Sequence, residues 1–112
     1  MNRKILVYIA APYTKGDIAQ NVRRALECAD ILFAKGYIPY CPLLNAFWHF
    51  LSPKSWDDWM KIDLAILERC DAVFRLDGES LGANKEVRFA DKIGLPIFYS
   101  IEELEEYYAP HR

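Results

Sequence analysis

Two acidic residues stand where the pattern asks for apolar ones. Apolar spacing predicts a helix over residues 56–68, and on it the neighbours of Asp63 at three and four residues are Trp59, Met60, Ile66 and Leu67. Asp has poor helix propensity. A carboxylate buried on an apolar face costs several kcal/mol, as an order of magnitude, unless it is paired or protonated. Glu86 repeats the anomaly early in a later helix, with Ala83, Ala90 and, a turn further on, Ile93 along its side. A carboxylate there gains a little from the helix dipole. Each has an ordinary reading: Asp63 at the solvated boundary of its face, Glu86 as an N-terminal Glu facing water. Together they flank one predicted inner strand, 70–76, which would bring both to one cleft. Two carboxylates held at different pKa values suit reaction at an anomeric carbon, one attacking and one protonating the leaving group. A base leaving a sugar is the nitrogen analogue.

Other residues could serve such a site. Ser80-Leu81-Gly82 precedes the helix of Glu86, and free N–H groups at a helix start attract anions, so this loop could hold a phosphate. It is also an ordinary cap followed by a turn glycine. Neither G-x-x-x-x-G-K-[ST] nor a dinucleotide fingerprint is present. Tyr8, near the end of the first strand, is either a core aromatic or a phenol that holds a carboxylate in place. Pro12, Tyr13 and Thr14 follow it and are candidates to line the pocket. Asn21 either faces the site or supports local capping. Trp48, His49 and Phe50 form an aromatic wall for a nucleobase, or else core or a subunit interface. His49 has no His or Cys partner at ligand spacing, so no metal is expected. Asp71 reads as a turn residue, Glu102, Glu103, Glu105 and Glu106 as a solvated helix face, and His111 as part of a terminal tail.

The positioning elements follow from periodicity and punctuation. Ile5–Ala10 is a continuous apolar run, as in a strand buried on both faces. Asp17 and Gln20 open a helix carrying Val22, Ala25, Leu26, Ala29, Leu32 and Phe33, closed by Gly36. Tyr37–Tyr40 is a short strand whose proline suggests an edge. Residues 41–53 are aromatic and resist assignment, with a helical turn over 45–50. Ser55 and Asp58 open the helix of Asp63. Cys70–Leu76 is an inner strand, 77–82 a loop, and a helix follows to about Ile93, closed by Gly94. Leu95–Tyr99 is the last strand, and Ser100 caps a final short helix. Strand–helix alternation predicts an α/β fold, a Rossmann-like parallel sheet with helices on both faces. Ligands bind beyond the carboxyl ends of such strands.

The 112 residues are expected to form one domain, 1–112. With 14 basic and 16 acidic residues, net −2, the chain is not built to neutralise a nucleic-acid polymer. At 53% hydrophobic and 27% charged it is not disordered. No apolar run is long enough to span a membrane or to serve as a secretory signal. Cys28, Cys41 and Cys70 form no C-x-x-C pair and read as reduced, buried thiols of a cytoplasmic protein.

Tyr8-Ile9-Ala10-Ala11-Pro12-Tyr13, Asn21-Val22 and Lys35-Gly36-Tyr37-Ile38-Pro39 resemble the nucleoside 2-deoxyribosyltransferase superfamily, especially its small members. Residues 63–73 and 78–87 continue the resemblance, which covers nearly all of the chain to Tyr99. The segment Ser80-Leu81-Gly82 through Glu86 is also similar to the S-L-G-x-x-x-E stretch of 2′-deoxynucleoside 5′-phosphate N-hydrolases. The resemblance implies a Rossmann-like fold that cleaves N-glycosidic bonds without a cofactor. It implies Glu86 as nucleophile, Asp63 as the acid near base and sugar, Tyr8 orienting the nucleophile and Ser80 contacting a 5′-phosphate. It also implies a homodimer or larger homo-oligomer. The chain departs at Ala11-Pro12, where the nucleotide hydrolases carry Gly-Ser.

The expectation is therefore cleavage of the N-glycosidic bond of a nucleoside 5′-monophosphate or nucleoside, by hydrolysis or transfer. The alternatives are a non-catalytic nucleotide-binding or sensor module, and a structural oligomer joined through Phe47–Trp59.

Overall fold

The computed structural model describes residues 3–109; His111 lies outside them. Four strands form one parallel sheet: β1 (Leu6–Ala10), β2 (Ile38–Tyr40), β3 (Ala72–Arg75) and β4 (Ile97–Phe98), in the order β2-β1-β3-β4. Five α-helices accompany them: α1 (Ile18–Ala34), α2 (Ala46–Leu51), α3 (Trp56–Leu67), α4 (Leu81–Lys92) and α5 (Ile101–Tyr108). This is the α/β architecture expected from the alternation. Pro39 sits in the edge strand β2, where a missing backbone donor is tolerated.

Side chains alternate across a strand, and β1 uses both faces. Val7 and Ile9 join Ala25, Cys28 and Leu32 of α1 and Leu104 of α5 in one apolar layer. Tyr8 and Ala10 join Leu67 of α3 and Ala83 and Ala90 of α4 in the other. All three cysteines are free thiols, Cys28 and Cys41 in the first layer and Cys70 in the second. Burial pushes Cys28 and Cys70 up to about 11 and raises Cys41 as well.

The helix starts follow from local chemistry. The side chains of Asp17, Ser55, Ser80 and Ser100 each accept a hydrogen bond from the backbone N–H three residues on, at 3.0–3.1 Å. Asp71, the expected turn residue, does more than turn the chain. Its carboxylate accepts from Leu6 N at 2.8 Å and from the Arg3 guanidinium at 2.5 Å, tying the start of β3 to β1. Glu103 and Glu105 are not merely solvated either, accepting from Tyr99 N and the Tyr37 hydroxyl at 2.9 Å.

The segment that resisted assignment is a 3-10 turn, Pro42–Asn45, running directly into α2. α2 buries none of its residues and leaves Phe47, Phe50 and Leu51 exposed. Among the described residues no helix is long and apolar enough to cross a membrane.

β1 and β3 are neighbours, yet their outgoing connections cover opposite faces: α1 packs in the layer of Val7 and Ile9, and α4 in the layer of Tyr8. The loops after the two strands therefore diverge and leave a crevice between them. Pro12 in the first loop meets Gly78 in the second. Gly78 has φ +118°, and a Cβ there would lie 2.8 Å from Pro12 Cγ. Only glycine meets both demands.

Candidate active site

A cavity of about 640 Å³ opens at that crevice, walled by the loop after β1, the 3-10 turn with α2, α3, and the start of α4. Glu86 projects into it from the inner side of α4 and is 4% exposed. The Tyr8 hydroxyl donates to Glu86 Oε2 at 2.5 Å from beneath. Asp63 reaches the same cavity from the buried side of α3 and is 8% exposed. Asn45 Nδ2 donates to Asp63 Oδ1 at 3.3 Å and to the Tyr40 hydroxyl at 3.4 Å.

Burial dominates the electrostatics. It pushes Glu86 up to about 8; the Tyr8 bond opposes this, the nearby Asp63 charge adds to it, and Arg75 opposes it. Burial pushes Asp63 up to about 6, against the Asn45 bond. The Tyr8 phenol is raised far above its ordinary range by burial and then by Glu86 and Asp63. The Asp63 charge thus acts on Glu86, whose carboxyl is held higher than that of Asp63.

An aromatic wall faces them, built differently from the expected Trp48-His49-Phe50 run. Trp56, Trp59 and His49 line the cavity. Trp48 instead packs edge-on against Trp59 at 5.1 Å, and Phe50 is exposed. His49 Nδ1 accepts from Trp59 Nε1 at 2.9 Å and from Lys54 N at 3.2 Å. These two contacts to Nδ1 fix the orientation of the ring at the cavity wall. Lys54 Nζ lies 4.9 Å from the Trp48 ring centre, a cation–π contact that braces the same corner.

Ser80 and Gly82 both line the cavity. Ser80 Oγ accepts from Ala83 N at 3.0 Å, which leaves its own hydrogen to donate. Gly82 lies in the first turn of α4 rather than in the loop, and a Cβ there would come within 3.3 Å of Met60 Cε. Tyr13 and Thr14 line the cavity as well.

Two expected lining residues sit elsewhere. Pro12 is not in the wall; it packs on Gly78. Asn21 is buried behind the loop, and its Nδ2 donates to Tyr13 O at 2.9 Å and Lys15 O at 2.8 Å. It holds the loop in place instead of facing the cavity. Tyr8 also lies outside the wall and reaches the site only through Glu86.

Several wall residues carried no sequence signal that singled them out: Asn45, Lys54, Trp56 and Trp59. Lys15 and Glu79, also in the wall, pair at 3.0 Å between the two diverging loops.

Tyr8→Phe tests the arrangement under Glu86. It removes the donor to Oε2 while keeping the ring. The expected results are a further rise in the Glu86 titration midpoint, read by ¹³C-carboxyl NMR, and a stability loss of about 1–3 kcal/mol by denaturant unfolding. An unmoved midpoint would show that the phenol does not tune this carboxylate.

Among solved structures, the chain is similar in fold to the 2-deoxyribosyltransferase of the psychrotolerant bacterium Bacillus psychrosaccharolyticus, described as a biocatalyst for nucleoside synthesis. The TM-score is 0.63 at 19% identity, over 82% of this chain and 69% of that one. No curated protein matches the sequence. The family model described as "Domain of unknown function (DUF7768)" matches residues 5–100, the whole sheet and the whole wall of the cavity, and the chain belongs to that family.

Proposed function

We propose that this protein cleaves the N-glycosidic bond of a nucleoside or nucleoside 5′-monophosphate, by hydrolysis or by transfer of the (deoxy)ribosyl group. The observation that carries the reading is a buried glutamate, held by a tyrosine, sharing one aromatic-walled cavity with a second buried carboxylate. Glu86 Oε attacks C1′ as the C1′–N bond breaks, giving a glycosyl ester on Glu86. Asp63 gives its proton to the departing base. Water, or a second base, then attacks C1′ and releases Glu86. Trp56 and Trp59 offer flat apolar faces to the base, and the Ser80 hydroxyl offers a donor to a 5′-oxygen or phosphate. The fold likeness to a deoxyribosyltransferase supports the substrate class. The reading takes the chain as one domain with no cofactor. It includes a homodimer or larger assembly, for which the uncovered face of α2 is the apolar surface at hand.

The test is incubation with a panel of ribo- and deoxyribonucleosides and their 5′-monophosphates, with and without an acceptor base, watching for free base by chromatography. Release of base from at least one member is expected. Folded protein that is stabilised by these ligands but releases nothing would favour the alternative, a binding or sensor module. The burial that pushes Glu86 up to about 8 favours that alternative, since a protonated carboxyl is a poor nucleophile.

A further inference from the structure

A second cavity, of about 370 Å³, lies on the other side of α4, beyond the carboxyl ends of β3 and β4. It is lined by Arg75, Asp77, Asn84, Val87, Arg88 and Tyr99. The residue that matters most is Arg75, 8% exposed at the end of β3. A buried guanidinium normally has a carboxylate beside it. Arg75 has none at ion-pair distance among the described residues. Its bonds go to neutral acceptors: Nη1 to Leu76 O, and Nη2 to Gly78 O at 2.9 Å and Asn84 Oδ1 at 3.0 Å.

Those bonds use three of the five guanidinium hydrogens. Nε–H and one Nη1 hydrogen have no acceptor among the described residues. No buried side-chain nitrogen or oxygen there lacks a partner, so the Nε–H is not sealed in protein and borders open space. The cavity that Arg75 lines is this one, not the larger one. Around the same space, the Arg88 guanidinium, Asn84 Nδ2 and the Tyr99 hydroxyl also have no hydrogen-bond or ion-pair partner among the described residues. Asn84 spends its oxygen on Arg75, which leaves its amide hydrogens for a ligand. The acid in the wall, Asp77, is exposed to water and pairs with Arg24 at 2.5 Å.

We propose that this cavity is an anion site that binds a phosphate group, free or as a phosphomonoester, between Arg75 and Arg88. Two guanidiniums from different elements match a doubly charged tetrahedral oxyanion, and their planar forks donate to it in pairs. Asn84 Nδ2 and the Tyr99 hydroxyl supply donors from α4 and the end of β4. The space exceeds a bare phosphate and admits a small organic group attached to it. The site adjoins the carboxylate cavity at Asn84, which lines both, and the Arg75 charge also acts on Glu86; the inference does not rest on the proposed glycosidic chemistry.

The test is titration of ¹⁵N-labelled protein with inorganic phosphate, and separately with ribose 5-phosphate, with calorimetry alongside. Saturable shifts in the Arg75 Nε–H and Asn84 Nδ2 resonances are expected. Arg88→Gln, at an exposed position that leaves the core intact, should weaken binding about 10-fold or more, and Tyr99→Phe by less. Tighter binding of ribose 5-phosphate than of phosphate would identify a phosphomonoester as the occupant, and equal binding would identify the free ion. Absence of saturation, shifts confined to Ser80–Ala83 and the loop after β1, or full affinity in Arg88→Gln would overturn the proposal. None of these outcomes depends on catalytic turnover, so the inference and the proposed activity can fail separately.

Discussion

Glu86→Gln lowers base release by at least about 10³-fold while leaving the melting temperature unchanged or higher. The activity loss follows from removing the attacking oxygen's charge; loss of a nucleophile costs factors of this size or larger. The unchanged stability follows from the surroundings of the side chain. The carboxylate is buried, and burial pushes its pKa to about 8, so the native environment already disfavours the ion. An amide of the same shape carries no charge to desolvate, and its oxygen still accepts from the Tyr8 hydroxyl, which sits 2.5 Å from Oε2. Ligand binding, followed by thermal shift, should survive. The paired result separates a chemical role from a structural one. Activity within 10-fold of the parent would remove Glu86 from the reaction. A collapse of the melting temperature would instead make it a structural group.

Stability of the parent protein falls as pH rises from about 4 to about 8, the reverse of the usual gain on leaving acid. Glu86 moves from 4.5 to about 8 and Asp63 from 3.8 to about 6 on folding, both upward. A carboxyl raised by folding stabilises the native state while it is protonated. Its contribution is complete below the unfolded pKa and is lost as pH climbs through the folded one. The window therefore runs from about 4 to 6 for Asp63 and from about 4.5 to 8 for Glu86. At about 1.4 kcal/mol per unit, Glu86 alone accounts for a loss on the order of 5 kcal/mol. That is a large share of the roughly 5–15 kcal/mol holding an ordinary domain together. Asp63 adds less. Denaturant unfolding at pH 5, 7 and 8.5 should show the decline in the parent and a much flatter line in Glu86→Gln. Parallel lines would disprove the assignment.

The same ordering shapes catalysis. The reactive form needs Glu86 ionised and Asp63 protonated, while the ligand-free pair prefers the opposite. With Glu86 held up to about 8 and Asp63 to about 6, a single proton on the pair rests mainly on Glu86. The rate should then be bell-shaped with apparent limbs near these values. The peak turnover is low unless substrate reverses the preference, as it would by bringing a basic nitrogen to Asp63.

The sheet and the carboxylate pair could be read from the chain because both depend on local repetition. β1 and β3 are short apolar runs between turn residues. Each serine or aspartate cap lies three residues from the N–H that it accepts from. Asp63 and Glu86 stood out because a helix places neighbours at known spacings, and an acid among apolar neighbours contradicts its surroundings. The supporting contacts were out of reach because tertiary packing decides them. Asn21 looks like a helix-start residue that could face either way; only the path of the loop after β1 turns it toward Tyr13 O and Lys15 O. Pro12 meets Gly78 across 66 positions of chain, the difference of the two residue numbers. His49 and Trp59 meet because α2 folds back on α3, and nothing in the composition of 41–53 sets that angle. α2 has no buried side, so it offers no periodicity to read.

The distribution of sulfur gives the protein a built-in clock. Cys28 and Cys41 lie on one side of the sheet and Cys70 on the other, all as buried, poorly ionised thiols. An alkylating reagent can reach them only when the layer above them lifts. Equal labelling rates would mean that the domain opens as one cooperative unit. Faster modification of Cys70 would mean that the α3–α4 half, which carries both acids, loosens on its own while the α1–α5 half stays shut.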